Sequence, residues 1–164
     1  MVKVKIGDST PSFTLPSSTG ENISLSQFLG KKNVVLFFYP RDEGPTCCKE
    51  AEAFRDNFEA FKASDAEVIG ISAQSVESHK SFASHHKLQY VLLSDPDNKV
   101  RQLYGVSSTL GLPGKVTFVI DKQSIVKHVF SSQLHFTKHA KEGLACIKRI
   151  IMARVKRKRA VVFQ

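Results

Sequence analysis

Three cysteines are the residues of this chain best suited to covalent chemistry, and two of them, Cys47 and Cys48, are neighbours. Pro45 stands just before them, and proline is favoured in a first helical turn because its missing N–H would have no partner there. Cys47 is therefore predicted among unpaired N–H groups at the positive end of a helix dipole. Such a position lowers a thiol pKa from about 8.5 to about 3.5–7.5, and the thiolate is a nucleophile. The alternative is a small buried side chain, as free cysteines often are.

Other kinds of site find little support in the sequence. Adjacent cysteines lack the C-x₂₋₄-C spacing of a zinc site, and no second Cys/His pair completes four ligands, so no metal is predicted. The six histidines form no H-E-x-x-H motif, and His85 and His86 are predicted on a solvated helix face. Neither a P-loop nor a G-x-G-x-x-G motif occurs, so no nucleotide or other cofactor is expected.

The elements that position Cys47 can be predicted from hydrophobic patterns. The run 33–39 is β-branched and aromatic without alternation, as in a strand covered on both faces. One apolar stripe follows, at Cys47, Ala51, Phe54, Phe58 and Phe61. Its helical spacing predicts a single helix of about 18 residues that begins at Pro45.

The remaining pattern predicts alternating strands and helices. Further strands are expected at 13–15, 23–25, 67–72, 90–93, 116–120 and 125–130, and further helices at 76–87, 97–104 and 140–155. This order predicts an α/β fold, a three-layer α/β/α sandwich with a mixed central sheet. A chain of 164 residues is long enough for one such domain. We place the domain at 1–152 and a basic tail at 153–164.

The basic charge is concentrated in that tail. The chain carries a formal net charge of +9, and its densest cluster is Arg154, Lys156, Arg157, Lys158 and Arg159. One interpretation is a solvated helix end whose cations are stabilised by the helix dipole. The other is a nuclear-import signal or a weak, salt-sensitive contact with nucleic-acid phosphates.

Hydropathy bears on the cellular location. The longest apolar run, 34–39, is far shorter than the roughly 18 residues that a transmembrane helix needs. The first residues contain no apolar signal-peptide core. We therefore predict a soluble monomer in the nucleus or cytoplasm, without membrane contact. A plastid location is the alternative if a transit peptide has been removed.

The segment from Phe37 to Asp56 resembles the active-site segment of the peroxiredoxins. It is similar to the pattern of the bacterioferritin-comigratory, or peroxiredoxin Q, group, F-Y-P-x-D-x-T-P-G-C-T-x-E-A-x-x-F-R-D. Further matches lie at 7–8, 13–15, 67–72, 93–95 and 112–121. The resemblance implies a thioredoxin-like fold of the AhpC/TSA type and a thiol peroxidase. Its substrate would be a peroxide and its reductant thioredoxin, glutaredoxin or glutathione.

The resemblance also assigns the nucleophile. In the family a proline lies seven residues before the peroxidatic cysteine and the F-R-D phenylalanine lies seven after it. Pro40 and Phe54 both point to Cys47 by this count. Cys48 falls at a threonine position of the family and is expected to be a bystander. The substrate pocket is then expected at Pro40, Gly44 and Pro45.

Two donors of the family pattern are changed in this chain. The family threonine or serine three residues before the cysteine is Gly44, whereas Thr46 directly precedes Cys47. A family arginine is replaced by Lys115, which keeps the charge but loses the planar fork. We expect Lys115 as the charge partner of the thiolate and Thr46 as a hydroxyl donor. The alternative is a weakened peroxiredoxin-like redox sensor or a chromatin-associated protein.

The resolving cysteine is absent from its usual place. In many members of the group it lies five residues after the first cysteine, where this chain has Glu52. Cys146 is the remaining candidate, and its place on an amphipathic helix predicts a core residue instead. The resemblance therefore implies a one-cysteine enzyme whose sulfenic acid is reduced by an external thiol.

Overall fold

The computed structural model of the protein describes residues 3–106, 108–109 and 112–163. Its strands are β1 (Thr14–Pro16), β2 (Asn22–Ser24), β3 (Asn33–Phe38), β4 (Ala66–Ser72), β5 (Val91–Ser94), β6 (Ser108–Thr109), β7 (Leu112–Pro113), β8 (Val116–Ile120) and β9 (Val126–Ser131). Its helices are α1 (Pro45–Asp56), α2 (Phe58–Ala63), α3 (Val76–His85), α4 (Lys99–Tyr104) and α5 (Lys138–Val162). Short 3₁₀ helices lie at Leu25–Phe28 and Pro96–Asn98.

The central sheet has five strands in the order β5-β4-β3-β8-β9. β3 pairs in parallel with β4, and β4 pairs in parallel with β5. β8 is antiparallel to both of its neighbours. All residues of β3 are buried, as the unbroken apolar run predicts for a strand covered on both faces. The mixed central sheet is thereby confirmed.

Each face of the sheet is covered by its own hydrophobic cluster, because side chains alternate along β3. Val34, Leu36 and Phe38 belong to one cluster, which includes residues of β1 and α4. Val35 and Phe37 belong to the other, which includes residues of α1, α2, α3 and α5. Two apolar faces covered by different elements confirm the predicted three-layer arrangement.

The helix predicted from Pro45 is interrupted at Asn57. α1 ends at Asp56 and α2 begins at Phe58. The Asn57 side-chain amide donates to the Ala53 carbonyl oxygen at 2.7 Å, so it competes for a helical backbone acceptor. The apolar stripe nevertheless continues across the break.

The last helix extends further than predicted. α5 has 25 residues and runs without interruption across position 152 into the basic segment. Residues 152–163 are all exposed. The division into a domain and a tail therefore stays a prediction, since no change of secondary structure marks it. Within the described residues, no helix combines the length and the apolar character needed to cross a bilayer.

Candidate active site

Cys47 lies at the start of the first long helix, just after the loop that follows the central strand. β3 ends at Phe38, a loop follows, and α1 begins at Pro45 with Gly44 as its N-cap residue. Cys47 is the third residue of the helix and is only 3% exposed. Its place in the first turn confirms the prediction from the sequence. Its side chain packs in the apolar cluster between the sheet and the helices.

Burial changes the expected acidity of this thiol. Desolvation raises the pKa of Cys47 above its ordinary value, and the charge of Glu50 adds to the rise. A hydrogen bond with the Arg41 backbone and the charges of Lys115 and Arg41 lower the pKa in part. The expectation of a lowered pKa was therefore wrong in this closed site. The cost of holding a charge away from water exceeds the help from neighbouring donors.

The structure brings Lys115 and Thr46 together beside Cys47. The Lys115 side chain, directly before β8, is only 1% exposed. Its ammonium donates to the Thr46 hydroxyl oxygen at 2.5 Å and lies 5.5 Å from the centre of the Phe136 ring. A buried ammonium held in this way can supply a fixed positive charge where negative charge develops.

Glu50 is a buried carboxylate of the site that the sequence analysis missed. It is three residues after Cys47 on α1, and its Oε2 lies 3.8 Å from Lys115 Nζ. Within the described part of the chain, neither of its oxygens has a hydrogen-bond partner. Burial raises the pKa of Glu50 to about 8, although the charge of Lys115 opposes the rise. The glutamate of the family pattern three residues after the cysteine was the signal that could have identified it.

His139 closes the site next to Glu50. Its Nε2–H donates to the Ser132 carbonyl oxygen, and its Nδ1 accepts from the Thr117 hydroxyl, both at 2.8 Å. Burial lowers the pKa of His139 to about 4, so the ring is neutral at pH 7. His139 Nδ1 and Glu50 Oε1 lie 3.9 Å apart. Because the ring is neutral, the two groups do not form an ion pair at that pH.

Arg101 is a second buried cation that the sequence analysis missed. Its guanidinium donates to the carbonyl oxygens of Gly114 at 2.9 Å and Tyr39 at 3.0 Å. It thereby ties the backbone before Lys115 to the backbone before the cysteine loop. Burial lowers its pKa, and the charges of Asp95 and the site oppose that shift. No sequence signal distinguished this arginine from a solvated residue of a short helix.

Gly44 has an ordinary extended backbone. Its φ of −66° and ψ of 139° are accessible to any residue. A Cβ at this position would lie 3.4 Å from the sulfur of Cys47 and 3.4 Å from side-chain atoms of Arg41. A side chain here would therefore reach the thiol directly. Pro40 is half-buried and Pro45 is exposed, on either side of this position.

Cys48 faces a different environment. Its sulfur lies 3.5 Å from His86 Nε2 and 3.8 Å from Glu43 Oε2. Burial raises the pKa of Cys48 to about 11, and the charges of Glu43 and Glu52 add to the rise. The side chain of His86 is only 11% exposed, so the predicted solvated face is wrong for this histidine.

Glu52 and Cys146 stand at the two positions considered for a resolving cysteine, and each has other contacts. The Glu52 carboxylate lies 2.9 Å from His86 Nδ1. Cys146 is buried on α5 among apolar side chains, which confirms the predicted core location. Burial also raises the pKa of its thiol.

The basic cluster is not brought to Cys47. A groove of about 890 Å³ runs beside α5, and its lining includes Arg154, Arg157 and Lys158. Cys47, Lys115 and Thr46 do not line it. The structure therefore separates the tail from the cysteine site.

Comparisons with known proteins agree with this geometry. Residues 6–129 match the model of the AhpC/TSA family. Peroxiredoxin Q of Sedum lineare, a chloroplastic protein by its name, is 49% identical over 148 residues, which cover 89% of this chain and 79% of the relative. Peroxiredoxin Q of Arabidopsis thaliana is also 49% identical over 148 residues, which cover 89% of this chain and 68% of the relative.

Solved structures show the same fold. Peroxidoxin BcpB from Mycobacterium tuberculosis matches with a TM-score of 0.83 and 39% identity, covering 90% of this chain and 98% of the other. A peroxiredoxin Q variant from Xylella fastidiosa matches with a TM-score of 0.85 and 26% identity, covering 92% and 99%. These matches confirm the thioredoxin-like fold that the resemblance implied. The chain belongs to the AhpC/TSA family and, within it, to the peroxiredoxin Q group of thiol-dependent peroxidases.

Proposed function

We propose that Cys47 is the nucleophile with which this enzyme reduces hydrogen peroxide or an organic hydroperoxide. The main support is the convergence of Lys115 and Thr46 on a buried cysteine at the start of α1. A helix N-terminus and a buried cation both favour negative charge at this point. Gly44, Pro40 and Pro45 would form the wall through which the peroxide reaches the sulfur.

The chemical step transfers one oxygen atom to sulfur. The Cys47 thiolate attacks one peroxide oxygen, a sulfur–oxygen bond forms and the oxygen–oxygen bond breaks. The second oxygen leaves with the bonding electron pair and takes up a proton, which gives water or an alcohol. Cys47 is left as sulfenic acid. Lys115 and Thr46 stabilise the negative charge as it moves from the sulfur to the leaving oxygen.

We further propose that an external thiol completes the cycle. Thioredoxin, glutaredoxin or glutathione would attack the sulfenic sulfur, release water and form a mixed disulfide. A second thiol would then restore Cys47. Two observations support a one-cysteine enzyme: Glu52 occupies the usual resolving position, and Cys146 is buried in the core.

Loss of the nucleophile tests this proposal. We expect Cys47→Ser to abolish peroxide consumption in an assay with dithiothreitol as reductant. Cys146→Ser serves as the matched control, since it removes a buried thiol that the reaction does not use, and should retain most of the rate. Full activity in Cys47→Ser, with a circular dichroism spectrum like that of the parent, would contradict the proposal.

The exposed end of α5 supports a second proposal. It presents Arg154, Lys156, Arg157, Lys158 and Arg159 on one continuous helix. We propose that this segment makes a weak, sequence-independent contact with nucleic-acid phosphates, which should weaken steeply with salt. Glutamine at all five positions should abolish binding of a labelled duplex in fluorescence anisotropy. Exchange of the lysines and arginines for one another, which keeps the charge, should preserve it.

The proposed location rests on the names of the relatives, and the proposed monomer rests on the sequence alone. The chloroplastic names of the curated relatives favour a plastid for this protein. Neither the structure nor the relatives give support to the predicted nucleus or cytoplasm. We propose a plastid enzyme that acts as a monomer. Fluorescence imaging of the tagged full-length protein and light scattering would test the two statements separately.

A further inference from the structure

Three potential metal ligands meet beside the first turn of α1, and Cys48 lies next to two of them. Glu43 comes from the loop before α1, and His85 and His86 come from the end of α3. Glu43 Oε1 lies 2.9 Å from His85 Nδ1, and Glu43 Oε2 lies 3.0 Å from His86 Nε2. Each of these three residues offers a ligand atom within 4.8 Å of the other two. The Cys48 sulfur lies 3.5 Å from His86 Nε2 and is close enough to His86 and Glu43 to serve as a fourth ligand.

The distances around Glu43 and His86 suit tetrahedral coordination, and the exposed side chain of His85 would turn to complete it. Zinc binds nitrogen at about 2.0–2.1 Å and sulfur at about 2.3 Å, which separates neighbouring ligand atoms by about 3.3–3.8 Å. The Cys48 sulfur lies 3.5 Å from His86 Nε2 and 3.8 Å from Glu43 Oε2, within this range. The two contacts between Glu43 and the histidines need to lengthen by only a few tenths of an ångström to reach it.

A carboxylate already orients one of the histidines. Glu52 Oε1 lies 2.9 Å from His86 Nδ1, so it accepts the proton on that nitrogen and turns Nε2 towards Glu43 and Cys48. A carboxylate behind a ligating histidine is a common outer-shell feature of metal sites. Both nitrogens of His86 face carboxylate oxygens. The ring can satisfy both only with two protons or by giving its Nε2 lone pair to a cation.

The backbone holds Glu43 in place for this contact. Its φ of 59° is in the left-handed region, which a residue with a side chain rarely adopts. The preceding residue, Asp42, is tied to α3 through 2.7 Å contacts with Ser78 Oγ and His79 Nδ1.

The charge of the cluster also favours a cation. With neutral histidines, Glu43 and Glu52 give it a formal charge of −2. Among the described residues, neither carboxylate forms an ion pair with a lysine or an arginine. With Cys48 bound as a thiolate the total is −3, and a divalent ion would reduce it to −1.

We propose that Glu43, His85, His86 and Cys48 bind one zinc ion, with Glu52 orienting His86. Two imidazoles and a thiol suit zinc, whereas magnesium and calcium prefer oxygen ligands alone. The proposal goes beyond the peroxidase activity, because none of these side chains acts on the peroxide. The ion would join the cysteine loop and α1 to the end of α3, and would hold Cys48 as a thiolate that alkylating reagents cannot reach.

Zinc titration of the reduced full chain against a chromophoric chelator tests the proposal. We expect one zinc ion per chain, bound at least tenfold more weakly by Glu43→Gln, by His85→Gln and by Cys48→Ser. Glu52→Gln should weaken binding by about 10–100-fold, as for other outer-shell partners. His128→Gln is the matched control, because it removes a histidine whose Nε2 lies 2.8 Å from Glu142 at another site. It should bind zinc as the parent does.

Two further readouts establish whether the zinc ion occupies this site. X-ray absorption at the zinc edge should show one sulfur and otherwise nitrogen and oxygen neighbours in the parent, and no sulfur in Cys48→Ser. Zinc should slow alkylation of Cys48 in the parent and not in His86→Gln. Thermal unfolding without zinc identifies any variant that fails to fold, and the exposed Glu43 provides a variant expected to fold normally. Zinc binding that is unchanged in Glu43→Gln, or that depends on Cys47 instead of Cys48, would overturn the proposal.

Discussion

Cys47 and Cys48 are adjacent in the chain, yet their thiols lie in opposite electrostatic surroundings. Cys47 faces the sheet, where the charge of Lys115 lowers its pKa. Cys48 faces α3, where the charges of Glu43 and Glu52 raise its pKa. Successive residues of a helix point about 100° apart, so neighbours can belong to different sites.

The comparison shows what burial and neighbouring charges each contribute. Burial raises the pKa of both thiols, so burial alone does not distinguish a nucleophile from a bystander. The sign of the largest charge effect does, because Lys115 lowers the pKa of Cys47 and Glu43 raises the pKa of Cys48. The cation near Cys47 stabilises the thiolate that reacts with peroxide. The carboxylates near Cys48 disfavour its thiolate form unless a bound cation offsets their charge.

Removing the cation beside Cys47 should have the largest effect. We expect Lys115→Gln to lower the second-order rate of Cys47 oxidation by hydrogen peroxide about 10²–10³-fold, as for other positioned donors in active sites. Stopped-flow fluorescence or a competition assay with catalase measures this rate. A loss smaller than threefold would mean that the Lys115 charge does not act on the reaction.

The free energy of unfolding of Lys115→Gln is the control that separates a loss of chemistry from a loss of stability. Because the pKa of Glu50 is about 8, its carboxyl group is mostly protonated at pH 7. Lys115→Gln removes the charged neighbour of this buried polar group, which should cost about 1–3 kcal/mol in the free energy of unfolding. Adding Glu50→Gln should recover most of that loss in urea unfolding without recovering the rate. Recovery of both quantities in the double variant would show that Lys115 has a structural role only.

The next largest effect concerns the neutral His139 beneath the Cys47 site. Its pKa is about 4 in the folded protein, against about 6.5 when unfolded, so the unfolded chain binds more protons between these values. Stability should be complete above about pH 6.5 and should fall by up to about 3 kcal/mol as the pH drops to about 4. In urea unfolding experiments between pH 7 and pH 4, the free energy of unfolding should fall less steeply for His139→Gln than for the parent protein. The same pH dependence in both proteins would contradict the conclusion that His139 is neutral in the folded protein.

A smaller gain is expected at Gly44. Its backbone accepts a side chain, and a Cβ there would lie 3.4 Å from the Cys47 sulfur. Gly44→Thr should raise the oxidation rate by about tenfold, the value of one directed hydrogen bond. Gly44→Ala, which adds the Cβ without the hydroxyl, is the matched control. Equal rates for the two variants would show that the hydroxyl does not reach the reaction.

Local sequence patterns predicted the parts of the site that one segment determines. The unbroken apolar run indicated the buried β3, and Pro45 with the following stripe indicated α1 and the first-turn position of Cys47. The family pattern led to Lys115 and Thr46, which the structure brings within hydrogen-bond distance. The break at Asn57 was missed because a single side-chain hydrogen bond causes it.

Features that depend on tertiary contacts could not be predicted. Arg101 joins two backbone segments that are far apart in the chain, and nothing in its own helix indicates burial. His86 reaches Glu43 across 43 residues, so its local helix face gave no sign of the contact. The direction of the Cys47 pKa shift was mispredicted for the same reason, because burial depends on what packs around the helix.

The most direct test is to locate the first oxidation product. Reduced protein would be treated with one equivalent of hydrogen peroxide in the presence of dimedone and a metal chelator. Fragment mass spectra of the peptide that contains both cysteines would then place the label. The account predicts dimedone on Cys47, no label on Cys48 and no intramolecular disulfide as the main product. A label on Cys48, or a dominant bridge from Cys47 to Cys48 or Cys146, would contradict it.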